Sequence, residues 1–182
     1  MNIQEFISNY HNHPVLFVGT GLSLRYLENS YSWDSLLKKV ASEFNPDPEY
    51  YLDIKAEHMY PTGYAFDQIA TQLEKDFNQH LKENRHGKFE HINDLFYANM
   101  EKGINISRFK LYLADLLRES TIKDSALPEI AEFKKARKNI SSVITTNYDT
   151  MIEQLFGFNP LVGNSILLSN PYGYVYKIHG CV

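Results

Sequence analysis

Three short clusters in the sequence carry groups that could bind and cleave a substrate. The first is Phe17-Val18-Gly19-Thr20-Gly21-Leu22-Ser23, in which two closely spaced glycines follow an apolar run. Glycines after a strand let backbone amides come close to a pyrophosphate, and the amides that open a following helix favour negative charge. The second is Ile144-Thr145-Thr146-Asn147-Tyr148-Asp149-Thr150, where a β-branched stretch ends on hydroxyl, amide and carboxylate side chains. The third is Tyr176-Lys177-Ile178-His179-Gly180. Histidine titrates near neutral pH and can take a proton when a neighbour orients it.

Each cluster alone has a plainer reading. Two glycines can simply make a tight turn. The third glycine of a dinucleotide fingerprint would fall on Leu24, and its acidic residue on Glu43, inside a helical pattern. Asn, Asp and Thr commonly precede helices, and Thr150 with Glu153 matches a capping box. That accounts for Asp149 or Thr150 but gives no reason for Thr145, Thr146 and Asn147 as well. A lone histidine is more often structural, and His11, His13, His58, His80, His86 and His91 show no ligand spacing that suggests a metal.

The elements that would position these clusters follow from hydrophobic periodicity. Val15–Val18 is a short continuous apolar run bounded by Pro14 and Gly19, which predicts a strand buried on both faces of a mainly parallel sheet. Trp33, Leu36, Leu37, Val40, Ala41 and Phe44 recur at helical spacing, with Ser32 as cap and Asn45-Pro46-Asp47-Pro48 as stop. From there to about residue 138 only helical periods are found, including the stripe Phe66, Ile69, Ala70, Leu73, Phe77 and Leu81. Further stripes begin at Ile92 and Phe109, and Pro128 can open another helix through Ile130 and Phe133. Strand character returns at 140–145, a short helix covers Met151–Phe156, and 166–168 and 174–178 read as strands.

This order predicts an α/β fold with a large helical insertion between the first and second strands of the sheet. Residues 1–45 and 139–182 form the core in this reading, and 46–138 the insertion. The last predicted strand runs almost to the end of the sequence, so the expectation is a piece of a longer protein or one that needs a partner chain.

Composition narrows the function classes. With 43% hydrophobic and 22% charged residues over 182 positions, the chain has the make-up of a globular protein. Net charge is -4, and Lys and Arg cluster only in Phe133-Lys134-Lys135-Ala136-Arg137-Lys138, which argues against a nucleic-acid or anionic-lipid surface. The N-terminal stretch lacks the charge pattern and apolar length of a signal peptide or membrane span. A single cysteine, Cys181, rules out an internal disulfide and paired-cysteine zinc ligation, and fits a cytoplasmic location.

Taken together and in order, Gly19-x-Gly21-x-Ser23, Thr145-x-Asn147-x-Asp149 and His179-Gly180 around a helical block resemble the Sir2 (sirtuin) family. The resemblance is closer to its bacterial SIR2-like branch of NAD-consuming antiphage-defence effectors, and Trp33-x-x-Leu36-Leu37 looks like that branch too. It covers the layout of the whole chain but only about 15 residues in specific motif, and the joint order carries it.

The resemblance implies a Rossmann-like, NAD-binding core with NAD as substrate and no metal. Gly19, Thr20, Gly21 and Ser23 match the family's NAD-cradling loop, and Thr146 is counted with the cofactor-binding residues. Asn147 matches the asparagine beside the nicotinamide ribose, Asp149 the aspartate that recognises the carboxamide, and His179 the catalytic base. Asn147 and His179 are thus the expected catalytic pair. The zinc-ribbon cysteines of family deacylases are absent from this sequence. The leading expectation is an NAD⁺ hydrolase releasing nicotinamide and ADP-ribose, as a homo-oligomer or with a second defence protein. The alternatives are an NAD-dependent deacylase or ADP-ribosyltransferase, and a non-catalytic module that senses NAD or ADP-ribose.

Overall fold

A computed structural model of the chain describes residues 14–118, 121–168 and 172–178. The fold is mixed α/β, in two compact units: residues 1–30 with 117–182, and residues 31–116.

The first unit is built on a four-stranded, wholly parallel sheet of β1 (Val15–Val18), β4 (Ser142–Thr145), β5 (Asn159–Val162) and β6 (Tyr174–Lys177), in the order β1-β4-β6-β5. Register pairs Val18 with Thr145, Thr145 with Lys177 and Lys177 with Val162, so all four strands end at one rim. Side chains alternate across a strand, and Val143 and Val175 lie in the core with helix α8 (Met151–Phe156) and Ile130 of helix α7 (Leu127–Lys135). One step toward the rim on the same face, Thr145 and Lys177 are also buried, so an apolar layer gives way to a polar one at the strand tips.

The opposite face of β1 corrects the expectation of burial on both sides, since Val15 and Phe17 are 52% and 65% exposed. A continuous apolar run leaves open how many layers cover it, and here only Leu16 and Val18 join the core. Residues 166–168, expected to be a strand, belong to a 3₁₀ turn over Gly163–Leu168. The missing strand is β5, whose start Asn159-Pro160 resembles a breaker. As an edge strand it tolerates proline. Helix α8 ends on Gly157, at φ 65° in the left-handed region that glycine enters without strain.

The second unit packs helices around aromatic side chains. Helix α2 (Trp33–Phe44) starts with a capping box between Ser32 and Ser35 and contributes Leu37, Val40 and Ala41. Helix α4 (Phe66–Glu83) contributes Ile69, Leu73, Phe77 and Leu81, the expected stripe. Helices α5 (Glu90–Glu101) and α6 (Arg108–Arg118) add Ile92, Phe109 and Tyr112. Phe77 sits at the centre, stacked on Tyr112 at 5.1 Å and edge-on to Phe44, Phe89 and Phe109. The stretch read as helical throughout also holds a small hairpin, β2 (Met59–Tyr60) with β3 (Gly63–Tyr64). Two-residue strands are too short to establish an alternating pattern. Helix α3 (Tyr50–Glu57) precedes the hairpin and buries Tyr51 and Ile54.

The unit boundaries also differ from the expected 45/46 and 138/139. Helix α2 groups with the helical unit because its apolar stripe packs in the Phe77 cluster. Residues 117–138 group with the sheet because Ala126 and Ile130 pack with Val143 and Phe156.

Candidate active site at the strand tips

The polar layer continues past the strand ends into a connected network. Helix α1 (Thr20–Tyr26) starts directly after β1, with Gly19 at its N-cap in an extended conformation. The chain leaving β4 is tied to the chain leaving β1, since the Thr146 amide donates to the Val18 carbonyl at 3.3 Å. Asn147 donates its backbone amide to Thr145 Oγ1 at 3.0 Å, which turns its side chain back over β1. Its Nδ2 donates to the Gly19 carbonyl at 3.2 Å and to Ser23 Oγ at 2.8 Å. Ser23 Oγ in turn donates to Asp149 Oδ2 at 2.7 Å. Asp149 Oδ1 accepts the Met151 amide at 3.0 Å. The helix cap expected from Thr150 and Glu153 is therefore made by Asp149 instead, and Thr150 makes no side-chain cap.

Donors and acceptors in this network do not balance. Asn147 is only 7% exposed, and its Oδ1 has no hydrogen-bond partner among the described residues. A buried amide oxygen without a donor costs about 1–3 kcal/mol, and this one is an unmet acceptor enclosed within the network. In the glycine turn whose Gly19 carbonyl accepts from Asn147, a Cβ added at Gly19 or Gly21 would meet nothing within 4 Å. Neither glycine has a positive φ. Packing and backbone conformation therefore leave both positions open to a side chain.

Beneath the network, the Lys177 ammonium donates to the carbonyls of Tyr148 at 3.0 Å and Asp149 at 2.6 Å. It also lies 2.9 Å from Glu153 Oε1. That contact is close enough for an ion pair, although its angles fall outside hydrogen-bond geometry. The half-buried Tyr148 phenol is pushed up from its ordinary pKa by desolvation.

The structure thus brings Gly19, Ser23, Thr146, Asn147 and Asp149 together, with Thr20 and Gly21 in the first turn of α1. His179 lies outside the described residues. Ser23, matched above to the NAD-cradling loop, is buried and bonded on both sides, as the link between Asn147 and Asp149. Glu43, at the ribose-binding offset of the dinucleotide fingerprint, is instead paired with Lys39 and Lys88. Desolvation raises its pKa, but those two cations outweigh burial and hold the carboxyl below its usual value.

Two groups escaped the sequence reading, Lys177 and Glu153. The signal for Lys177 was its alternation with Val175, which puts a cation on the buried face of a strand. A separate hollow of about 300 Å³ opens at the opposite rim, between Arg137, Ile140, Phe158 and Tyr172. Arg137 there already donates to the Phe156 carbonyl at 2.6 Å and stacks on Phe158. None of the residues of the strand-tip network lines it.

No protein-family model matches the sequence, and no curated protein or solved structure matches it either. Among the described residues, no helix is long and apolar enough to cross a membrane.

Proposed function

We propose that the strand-tip network is the nicotinamide end of an NAD⁺ site in a Rossmann-like core, and that the protein hydrolyses NAD⁺ to nicotinamide and ADP-ribose. The observation that carries this reading is the buried, unpartnered Oδ1 of Asn147, whose Nδ2 is bonded to the carbonyl of Gly19 in a glycine turn with room for a Cβ at Gly19 and Gly21. A ribose hydroxyl or an attacking water could donate to that Oδ1 once a small shift of the surrounding groups uncovers it, while the diphosphate passes over the glycines.

Cleavage of the N-glycosidic bond leaves its electron pair on the nicotinamide ring nitrogen and builds positive charge on the ribose carbon. Water adds to that carbon and loses a proton, so the step consumes NAD⁺ and water and yields nicotinamide, ADP-ribose and H⁺. The protein has to hold the leaving group, place the water and accept its proton. Asn147 is suited to place the water, because two donated bonds fix its amide. Asp149 is suited to read the carboxamide, since each carboxylate oxygen keeps a lone pair beyond its bond to Ser23 or Met151. His179 is assigned the proton. In this reading the protein works in antiphage defence, as a homo-oligomer or with a second defence protein.

The test is chromatography of NAD⁺ incubated with the protein and with its Asn147→Ala variant. The expected result is nicotinamide and ADP-ribose in equal amounts from the parent, and a loss of roughly 100-fold or more in the variant. Failure of the parent both to cleave NAD⁺ and to bind it by calorimetry would overturn the assignment. Binding without cleavage would leave a sensing module.

A further inference from the structure

The roles above leave a buried ion pair unused. Lys177 is the last residue of β6, and its side chain is 0% exposed. Glu153, in the first turn of α8, is 10% exposed, and its Oε2 has no hydrogen-bond partner among the described residues. Removing both charges from water is costly, and apolar residues of similar volume are often as stabilising as such a pair. Stability is therefore a poor reason for placing a cation here. Geometry gives a better one. The two carbonyls that accept from Lys177 belong to Tyr148 and Asp149, within the turn that presents Asn147 and Asp149.

We propose that Lys177 and Glu153 are a positioning pair for the strand-tip site. The ammonium pins both carbonyls from below and Glu153 holds the ammonium in place, which fixes where Asn147 Oδ1 and the Asp149 carboxylate meet NAD⁺. The part that concerns NAD⁺ rests on the function proposed above; the pinning of the turn does not. Sequence separation supports the assignment. Lys177 reaches the turn from 28 and 29 residues away, along a strand whose register with β4 is set by Thr145 and Ile178. The turn is thereby indexed to the sheet.

The experiment combines hydrogen exchange with NAD⁺ kinetics on the wild type, Lys177→Arg, Glu153→Gln and the double variant Lys177→Met/Glu153→Met. The key amide is that of Met151, which donates to Asp149 Oδ1. The Ile178 amide, which donates to the Thr145 carbonyl, reports on the sheet. In the double variant, Met151 exchange is expected to rise at least tenfold with Ile178 unchanged and the melting temperature kept, and kcat to fall at least tenfold. Lys177→Arg is expected to restore exchange and kcat to within about threefold of wild type.

Unchanged Met151 exchange in the folded double variant would overturn the proposal. So would faster exchange accompanied by unaltered kinetics, because a purely structural pair behaves that way. If the double variant does not fold, Glu153→Gln decides: Met151 exchange at the wild-type rate would sink the idea, and an increase of threefold or more would sustain it. A wild type that neither binds nor cleaves NAD⁺ removes the functional assignment alone, and the exchange data still settle the pinning.

Discussion

Among the described residues two asparagines are almost fully buried, Asn93 in the helical unit and Asn147 in the sheet unit, at 2% and 7% exposure. Asn93 is satisfied at both ends of its amide. Its Nδ2 donates to the Leu81 and Arg85 carbonyls, and its Oδ1 accepts from Arg108 Nε at 2.6 Å. Arg108 is in turn stacked 3.8 Å from the centre of the Phe96 ring and donates to the Tyr97 hydroxyl. Asn147 is anchored through Nδ2 just as firmly, yet its Oδ1 is left without a partner. A buried polar group with every bond made ties helices together, whereas one with a bond left over is available to a visitor. The two units differ in the same sense: one is closed around Phe77, and the other ends in a polar layer at the strand tips.

Exchanging alanine for each asparagine tests the contrast most sharply. Asn147→Ala should cost roughly 100-fold in NAD⁺ turnover with a smaller loss of stability than Asn93→Ala, because the two bonds it breaks are offset by removal of an unpaired buried oxygen. Asn93→Ala should do the reverse, lowering stability by about 1–3 kcal/mol in denaturant titration, because it strands Arg108 Nε and two carbonyls. Turnover in that variant should persist wherever the protein remains folded. A loss of stability in the first variant as large as in the second, or a loss of turnover in the second, would dissolve the distinction.

A smaller effect is expected at Gly19. Alanine fits there without a clash, so Gly19→Ala should melt normally while NAD⁺ affinity drops about tenfold, an amount worth ~1.4 kcal/mol. Unaltered affinity would move the ligand away from this loop.

The smallest effect belongs to the helical unit. The Lys55 ammonium, 2.6 Å from Asp34 and aided by the Tyr51 hydroxyl, holds the Asp34 carboxyl below its usual pKa against the opposing effect of desolvation. Because the folded value is the lower one, this stabilisation is present above about pH 4 and is lost as pH falls through the depressed value. Asp34 is 44% exposed, and solvent screening limits the contribution to ~0.5 kcal/mol. Asp34→Asn should flatten that part of the acid-unfolding profile and leave NAD⁺ turnover alone.

Much of this arrangement could be read in the sequence where one residue type had one job. The stripe of α4 and the serine cap of α2 were legible because helical spacing and capping are local. The polar residues at the tip of β4 stood out because they interrupt an apolar stretch. What escaped depended on partners far along the chain. Leu36 and Leu37 announce an amphipathic helix but not which core receives it. Asn159-Pro160 looks like a breaker until its place at the sheet edge is known. Thr150 with Glu153 satisfied a local pattern, yet Glu153 turns toward Lys177 and leaves the cap to Asp149. Ser23 matched a ligand-binding loop, and nothing in its local sequence signals that its hydroxyl donates to Asp149 and accepts from Asn147, both more than 120 residues away.

That last separation bears on how the molecule folds. The bonds joining Ser23 and Gly19 to Asn147 and Asp149 close loops of 124 to 128 residues. Closing so long a loop carries an entropic cost that contacts within the helical unit do not meet. Completion of the network therefore reports that both halves of the sheet have found each other. A chain stalled before that point lacks the proposed site, so any chemistry there is withheld until folding is finished.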